Sequence, residues 1–181
     1  MSKNLPPARD YLPVDLRDAI RVIKDYPKAG IDFYNITTLL KNPKHLRSVL
    51  EQLSWLVAHM EVDKVVGIEA RDFFFAPTVA YHLGAGFVPV RKAGKLPAET
   101  LRENYELEYG LEVEMHKDAV HFDGEKFLIV DDVLATGGTA RAAARLAESL
   151  GGEIVGYGFV LEVEDLNGQK KLGEVYSLMK V

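Results

Sequence analysis

The stretch Phe127-Leu128-Ile129-Val130-Asp131-Asp132-Val133-Leu134-Ala135-Thr136-Gly137-Gly138-Thr139 decides the fold. It opens on four apolar residues in a row, the pattern of a strand covered on both faces of a sheet. Two aspartates follow, then a short apolar spacer, a Thr-Gly-Gly-Thr turn and an Ala-rich segment running to Leu150. In that segment Ala143, Leu146, Ala147 and Leu150 share one helical face, and Gly151-Gly152 supplies a C-terminal stop.

Working outward, Val65-Val66-Gly67-Ile68, Phe87-Val88-Pro89-Val90 and Ile154 to Val160 are similar apolar runs, and Phe75 to Leu83 reads as a helix between two of them. Strands alternating with helices predict an α/β fold, a mostly parallel twisted sheet flanked by helices. In that architecture ligands sit at the carboxyl ends of the strands. Ahead of the first run, residues 1 to 12 read as an arm. A helix is expected from Asp15, with Leu16, Ile20 and Ile23 on one face, stopping before Pro27. Lys28 to Leu40 reads as a loop with exposed aromatics. Asn42-Pro43 starts a second helix whose buried stripe is Leu46, Val49, Leu50, Leu53, Val57 and Met60, with Trp55 expected to pack. No repeat, low-complexity tract or linker interrupts the chain, so a single domain over residues 1–181 is expected.

Bulk composition narrows the function. The chain has 181 residues, a formal net charge of −5 and no cysteine. The acidic balance argues against a protein that wraps nucleic acid. Lack of cysteine excludes disulfides, thiolate metal sites and a cysteine nucleophile. Met1 to Asp10 has no apolar core for a signal peptide, and no apolar run approaches the roughly 18–20 residues that span a bilayer. A cytoplasmic protein is expected. His45, His59, His82, His116 and His121 show no metal-ligand spacing and read as structural or surface residues.

A helix start offers unpaired N–H groups and partial positive charge, which favour an anion. Gly137 and Gly138 let the backbone approach a phosphate, and Thr136 and Thr139 can add hydroxyl donors. The loop is neither a Walker A sequence nor a dinucleotide fingerprint. Carboxylates next to a phosphate repel it, so Asp131 and Asp132 face something else. Vicinal hydroxyls fit, since a carboxylate accepts two hydrogen bonds from a diol. Phosphate on one side and diol on the other describe a ribose 5-phosphate. A lone Gly-Gly would read as a plain helix cap; the whole arrangement argues for the ligand.

At these residues the chain resembles the type I phosphoribosyltransferases, and among them those acting on adenine. The likeness extends from about Asp25 to Leu178. It includes Tyr26-Pro27-x-x-Gly30, Val66-Gly67-Ile68-Glu69-Ala70-Arg71, Pro89-Val90-Arg91-Lys92-Ala93-Gly94-Lys95-Leu96-Pro97 and Leu107-Glu108-Tyr109-Gly110. The resemblance implies the family's fold with a small N-terminal base-binding hood within residues 1–40, and a flexible catalytic lid at residues 96–110. It also implies transfer of a phosphoribosyl group from 5-phosphoribosyl 1-diphosphate to adenine, giving AMP and pyrophosphate. The ribose 5-phosphate would be held by Asp131, Asp132, Ala135, Thr136, Gly137, Gly138 and Thr139. The pyrophosphate would meet Arg71, Arg91, Lys92 and Lys95, although by itself that basic stretch reads equally well as a solvated surface run. Adenine would sit against Asp32, Phe33 and Tyr34, with Phe33 stacking on it.

Glu103, Glu106, Glu108, Glu112 and Glu114 form an acidic stretch whose members could simply be solvated. Position beside Tyr109-Gly110 favours Glu108 as the lid carboxylate that manages the purine proton, and Tyr109 belongs to the same lid. Mg²⁺ is expected as cofactor, bound mainly through substrate, and a homodimer is expected by the same likeness. This chain departs from the family at two places. Tyr34-Asn35 stands where Arg-Asp is common, which keeps another purine (hypoxanthine, guanine or xanthine) open. Asp72 stands where Gly is usual after Arg71, and its charge beside a pyrophosphate is unfavourable unless it points away or helps hold Mg²⁺. A non-catalytic sensor of 5-phosphoribosyl 1-diphosphate is the alternative from another class; no basic recognition helix precedes the first strand to support it.

Overall fold

A computed structural model describes residues 15–26, 28–30, 32–106 and 111–181. The expected arm at residues 1 to 12, and the lid residues Glu108 and Tyr109, lie outside the described residues. The chain divides into two compact units, residues 1–52 and 53–181.

In the first unit a 3-10 turn over Arg17–Ala19 leads to β1 (Arg21–Ile23), which pairs antiparallel with β2 (Phe33–Asn35). The helix expected from Asp15 is therefore not formed. Asp15 accepts the Arg17 N–H at 3.0 Å and holds only a tight turn. Beyond it the β-branched Val22 and Ile23 enter the ladder opposite Tyr34 and Phe33, a better use of stiff side chains than a helix. The Asp25 carboxylate closes the connection by accepting the Gly30 N–H at 2.7 Å. Tyr26 meets Phe33 edge-on, with ring centroids 5.4 Å apart. The short helix α1 (Thr37–Leu40) follows, and then α2 (Pro43–Leu56), whose residues from Leu53 on belong to the second unit. Asn42 caps α2 as its position predicts, accepting the Lys44 N–H at 2.9 Å. Trp55 is 82% exposed, so the expectation that it packs is overturned.

The second unit is built on β3 (Lys64–Ile68), α3 (Ala76–Leu83), β4 (Gly86–Lys92), β5 (Thr100–Glu106), β6 (Leu111–His116), β7 (Lys126–Leu134), α4 (Gly138–Ser149), β8 (Glu153–Glu162) and β9 (Val175–Lys180). Seven strands form one sheet in the order β5-β6-β4-β3-β7-β8-β9. From β4 to β9 all neighbours are parallel, while β5 and β6 extend the sheet as an antiparallel pair. The chain thus leaves β3 toward β4 on one side and later returns to β7 on the other. In sheets of this kind such a reversal of strand order is where a ligand crevice lies, here at the carboxyl ends of β3 and β7.

Three of these strands were not visible as apolar runs. In β6, Val113 and Met115 alternate with glutamates, and β5 and β9 also mix polar and apolar residues. Much of the polar segment at 96–110 is accordingly strand β5. The core joins Val66, Ile68, Val90, Phe127 and Ile129 of the sheet to α4. Ala140, Ala143, Ala144 and Ala147 are buried on α4, and such small side chains let a helix lie close to a sheet. Among the described residues no helix is long and apolar enough to cross a membrane.

Candidate active site

Strand β7 does not stop at Val130. It runs to Leu134, so Asp131 and Asp132 lie inside the strand rather than after it. Alternation along the strand makes Asp132 buried and leaves Asp131 half-buried. On one side β7 keeps its partner β8 out to Leu134, opposite Glu162. On the other side the register with β3 closes at Gly67 and Val130. The Asp132 N–H is satisfied by side chains instead, 2.9 Å from Asp72 Oδ1 and 2.7 Å from Asp131 Oδ1. Asp72 Oδ2 accepts the Ile68 N–H at 3.2 Å. Asp72, in the 3-10 turn Arg71–Phe74 that follows β3, is only 3% exposed.

Three carboxyl groups meet here, with one oxygen from each of Asp72, Asp131 and Asp132 lying within 4.8 Å of the others. Burial pushes the Asp72 carboxyl well above the usual range, and the charge of Asp131 adds to the effect. Burial and Asp131 likewise push Asp132 up to about 7, against the pull of Arg71. Arg71 Nε lies 2.8 Å from Asp132 Oδ2. Like charges this close cannot all ionise in a dry site, so the cluster holds protons as well as negative charge.

The phosphate-loop candidate follows directly. Gly137 takes a left-handed conformation (φ 74°) at the start of α4, where no side chain among the described residues caps the helix. Its first-turn N–H groups are therefore offered to a ligand. A Cβ on Gly137 would also stand 2.6 Å from the Gly168 carbonyl oxygen, so glycine is required twice over. A Cβ on Gly138 would lie 3.2 Å from the carbonyl oxygen of Tyr105, near the end of β5. Thr136 is exposed, while Ala135 and Thr139 are half-buried. The loop is thus hemmed in by backbone from two other parts of the same unit.

The basic residues are organised by glutamates. Arg91 Nη2 lies 3.0 Å from Glu69 Oε1, and Glu69 Oε2 accepts the Lys92 N–H at 3.2 Å. Hydrogen bonding from Arg91 holds the Glu69 carboxyl below its ordinary range. Arg91 Nη1 also donates to the Lys95 carbonyl at 3.1 Å. The peptide bond joining Glu69 to Ala70 is cis. Glu114, which could have been a solvated member of the acidic stretch, is fully buried. Its Oε1 accepts the Lys95 and Leu96 N–H groups at 2.7 and 2.8 Å, and Oε2 accepts from Thr100 Oγ1 at 3.2 Å. Burial alone would raise Glu114; the backbone N–H groups of Leu96, Gly94 and Lys95 prevail and hold it at about 2. Lys92 and Lys95 themselves are exposed.

The structure therefore gathers Arg71, Asp131 and Asp132 at one crevice and ties Arg91 to the end of β3 through Glu69. Asp32 is exposed, and Phe33 and Tyr34 are half-buried in β2 of the first unit. Three residues with clear roles escaped the sequence reading, Glu69, Glu114 and Gly168, while Asp72 stood out only as a departure from the family. Only Gly168 carried a local signal, the Asn167-Gly168 turn, in which Asn167 has φ 52°.

A family of phosphoribosyl transferase domains matches residues 35–175. An adenine phosphoribosyltransferase of Solibacter usitatus is 54% identical over 169 residues, covering 92% of this chain and 97% of that protein. The crystal structure of the adenine phosphoribosyltransferase of Rhodothermus marinus superposes with a TM-score of 0.83 at 48% identity, covering 92% of this chain and 96% of that one. The Saccharomyces cerevisiae enzyme, complexed with D-2,5-dideoxy-2,5-imino-altritol 1,6-bisphosphate and adenine, gives a TM-score of 0.82 at 40% identity, with coverage of 90% and 96%. With its strand order, its crevice and these likenesses taken together, the chain belongs to the phosphoribosyltransferase family, among the adenine phosphoribosyltransferases.

Proposed function

We propose that this protein transfers the 5-phosphoribosyl group of 5-phosphoribosyl 1-diphosphate to adenine, releasing pyrophosphate and forming AMP. The observation that carries this reading is the start of α4, where the N-cap Gly137 offers no side chain and which follows directly on the Asp131–Asp132 pair of β7. The N–H groups and hydroxyls of Ala135 to Thr139 take the 5-phosphate, and Asp131 and Asp132 accept hydrogen bonds from the ribose diol. Arg71, Arg91, Lys92 and Lys95 balance the charge of the leaving pyrophosphate. The bond from the sugar C1 to the pyrophosphate oxygen breaks, the bond to adenine N9 forms, and the N9 proton leaves.

Oxygen-only chemistry around the crevice suits a hard divalent ion, so the residues fit Mg²⁺. Both oxygens of Asp72 already accept backbone N–H groups. The ion would therefore be held mainly through the substrate, with Asp131 the carboxylate of this chain that would face it. When bound, Mg²⁺ would supply positive charge that favours departure of the pyrophosphate. Asp32, Phe33 and Tyr34 form the adenine hood. Glu108 manages the purine proton, and Tyr109 with the rest of residues 96–110 closes over the reacting centre to exclude water. We assign all of residues 1–181 to one catalytic domain working as a cytoplasmic homodimer. The exposure of Phe74 (51%) and Tyr81 (83%), on and near α3, supports self-association.

A panel of purine bases tests the reading. With Mg²⁺ and 5-phosphoribosyl 1-diphosphate, adenine is consumed far faster than hypoxanthine, guanine or xanthine. No turnover of adenine with any divalent metal would sink it. Faster use of another base would assign the neutral Tyr34-Asn35 pair to a changed preference.

A further inference from the structure

The geometry of the diol site depends on where β7 is held after β3 has ended. From Asp131 onward β7 has β8 on one side and no β3 residue on the other. The Asp132 N–H, which a continuing strand would have received, ends on the Asp72 carboxyl instead, 2.9 Å away. The other oxygen of Asp72 holds the N–H of Ile68, the last residue of β3, at 3.2 Å. One buried side chain thus spans from the end of β3 to the acidic pair, at a point where the sheet itself provides no bond.

We propose that Asp72 is a positioning residue for the sugar of the donor substrate, fixing the Asp131–Asp132 segment relative to the end of β3. The inference rests on the reading of that pair as the diol site. Asp72 does not reach substrate itself, being 3% exposed. The chemistry of its neighbours selects an acid over its relatives. Two backbone N–H groups call for two acceptor oxygens on one side chain, and an oxygen of the Asp131 carboxyl lies within 4.8 Å of one of them. A carboxyl group supplies both. An asparagine supplies one acceptor and leaves one N–H facing its amide nitrogen. A glycine supplies nothing, and the Ile68 N–H then lacks its carboxyl acceptor beside the crevice.

Steady-state kinetics with both substrates varied, on wild type, Asp72→Gly, Asp72→Asn, Asp131→Asn and Asp132→Asn, test this directly. Asp72→Gly should raise KM for 5-phosphoribosyl 1-diphosphate about tenfold, the factor equal to ~1.4 kcal/mol, while KM for adenine stays within about twofold. Asp72→Asn should recover a substantial part of that loss. An unchanged donor KM in Asp72→Gly would overturn the proposal, as would a parallel rise in both KM values or an Asp72→Asn as damaged as the glycine variant. Should Asp72→Gly not fold, Asp72→Ser, which keeps one hydroxyl, is judged by the same split. The underlying reading fails separately: if Asp131→Asn and Asp132→Asn both leave the donor KM unchanged, the pair is not the diol site. If they raise it and Asp72→Gly does not, only the positioning role is lost.

Discussion

Gly168 presses its backbone against the carbonyl of Ala135 so closely that a Cβ at position 168 would overlap that oxygen. The same Cβ would come within 2.9 Å of the Gly137 nitrogen. The turn after β8 therefore acts as a wall behind the proposed phosphate loop, and the fit is set by backbone rather than by side chains. Gly168 does not need glycine for its own conformation, so replacement costs only the collision. Gly168→Ala is expected to destabilise by about 1–3 kcal/mol through overpacking. It should also push the loop, and so raise KM for 5-phosphoribosyl 1-diphosphate more than KM for adenine. Thermal unfolding and the two KM values check it, and an unchanged donor KM would show the wall to be dispensable.

Glu114 gives the basic turn its shape. Its folded value of about 2 lies below the ordinary 4.5, so the folded state binds its proton more weakly than the unfolded chain does. The stability it contributes is complete above about pH 4.5 and lost as pH falls toward 2. Glu114→Gln removes that dependence, and it leaves an amide among four donors from Lys95, Leu96, Thr100 and Arg102. An unfolding midpoint lowered at neutral pH, with a shallower fall in acid than wild type, is the expected pattern. Equal slopes in acid would remove Glu114 from the account.

What could be read in advance and what could not divide along physical lines. The runs at Val65–Ile68, Phe127–Val130 and Ile154–Val160 announce strands because both faces are covered, and burial on both faces is written in consecutive residues. β6 hides because its buried positions alternate with glutamates, and one of those, Glu114, is itself buried for its hydrogen bonds. The glycine turn at the start of α4 was legible since the N–H groups of a helix start and the freedom of Gly137 are local properties. Asp72 was visible only as an oddity. Its partners depend on β3 ending while β7 continues, a matter of register between strands 60 residues apart, as the Asp72–Asp132 bond is. The expected N-terminal helix failed for a related reason: β1 exists because β2 lies opposite it.

The carboxyl cluster predicts a pH dependence of the opposite sign to that of Glu114. Asp132 rises from 3.8 to about 7 on folding, so the folded state holds its proton more tightly than the unfolded chain. Between those values the folded state binds more protons, and stability falls as pH rises through the window. Asp72 is shifted in the same direction. The ligand-free protein should therefore lose stability from about pH 4 to pH 7, and Asp132→Asn should flatten that decline. A wild-type midpoint that climbs across this range would contradict the shared-proton arrangement.

Glu108 follows Tyr105 by three residues, and the Tyr105 carbonyl stands beside Gly138 of the phosphate loop. The same strand is tied to α4 by Arg145, whose Nε donates to Glu103 Oε1 at 3.0 Å and whose Nη2 donates to the Asn104 carbonyl at 3.0 Å. Chemistry sets the demand on Glu108: the adenine N9 proton must leave as the bond to C1 forms, and a carboxylate can assist where an amide cannot. Glu108→Gln should therefore lower kcat by about 10²–10⁴, the span that general acid–base groups supply. KM for 5-phosphoribosyl 1-diphosphate should change little, because the sugar and phosphate contacts proposed above lie on β7 and at the start of α4. Pre-steady-state turnover distinguishes a slowed chemical step from slowed release. A variant that loses donor binding and turnover in equal measure would assign Glu108 to binding, and one with unchanged kcat would move the proton to another group.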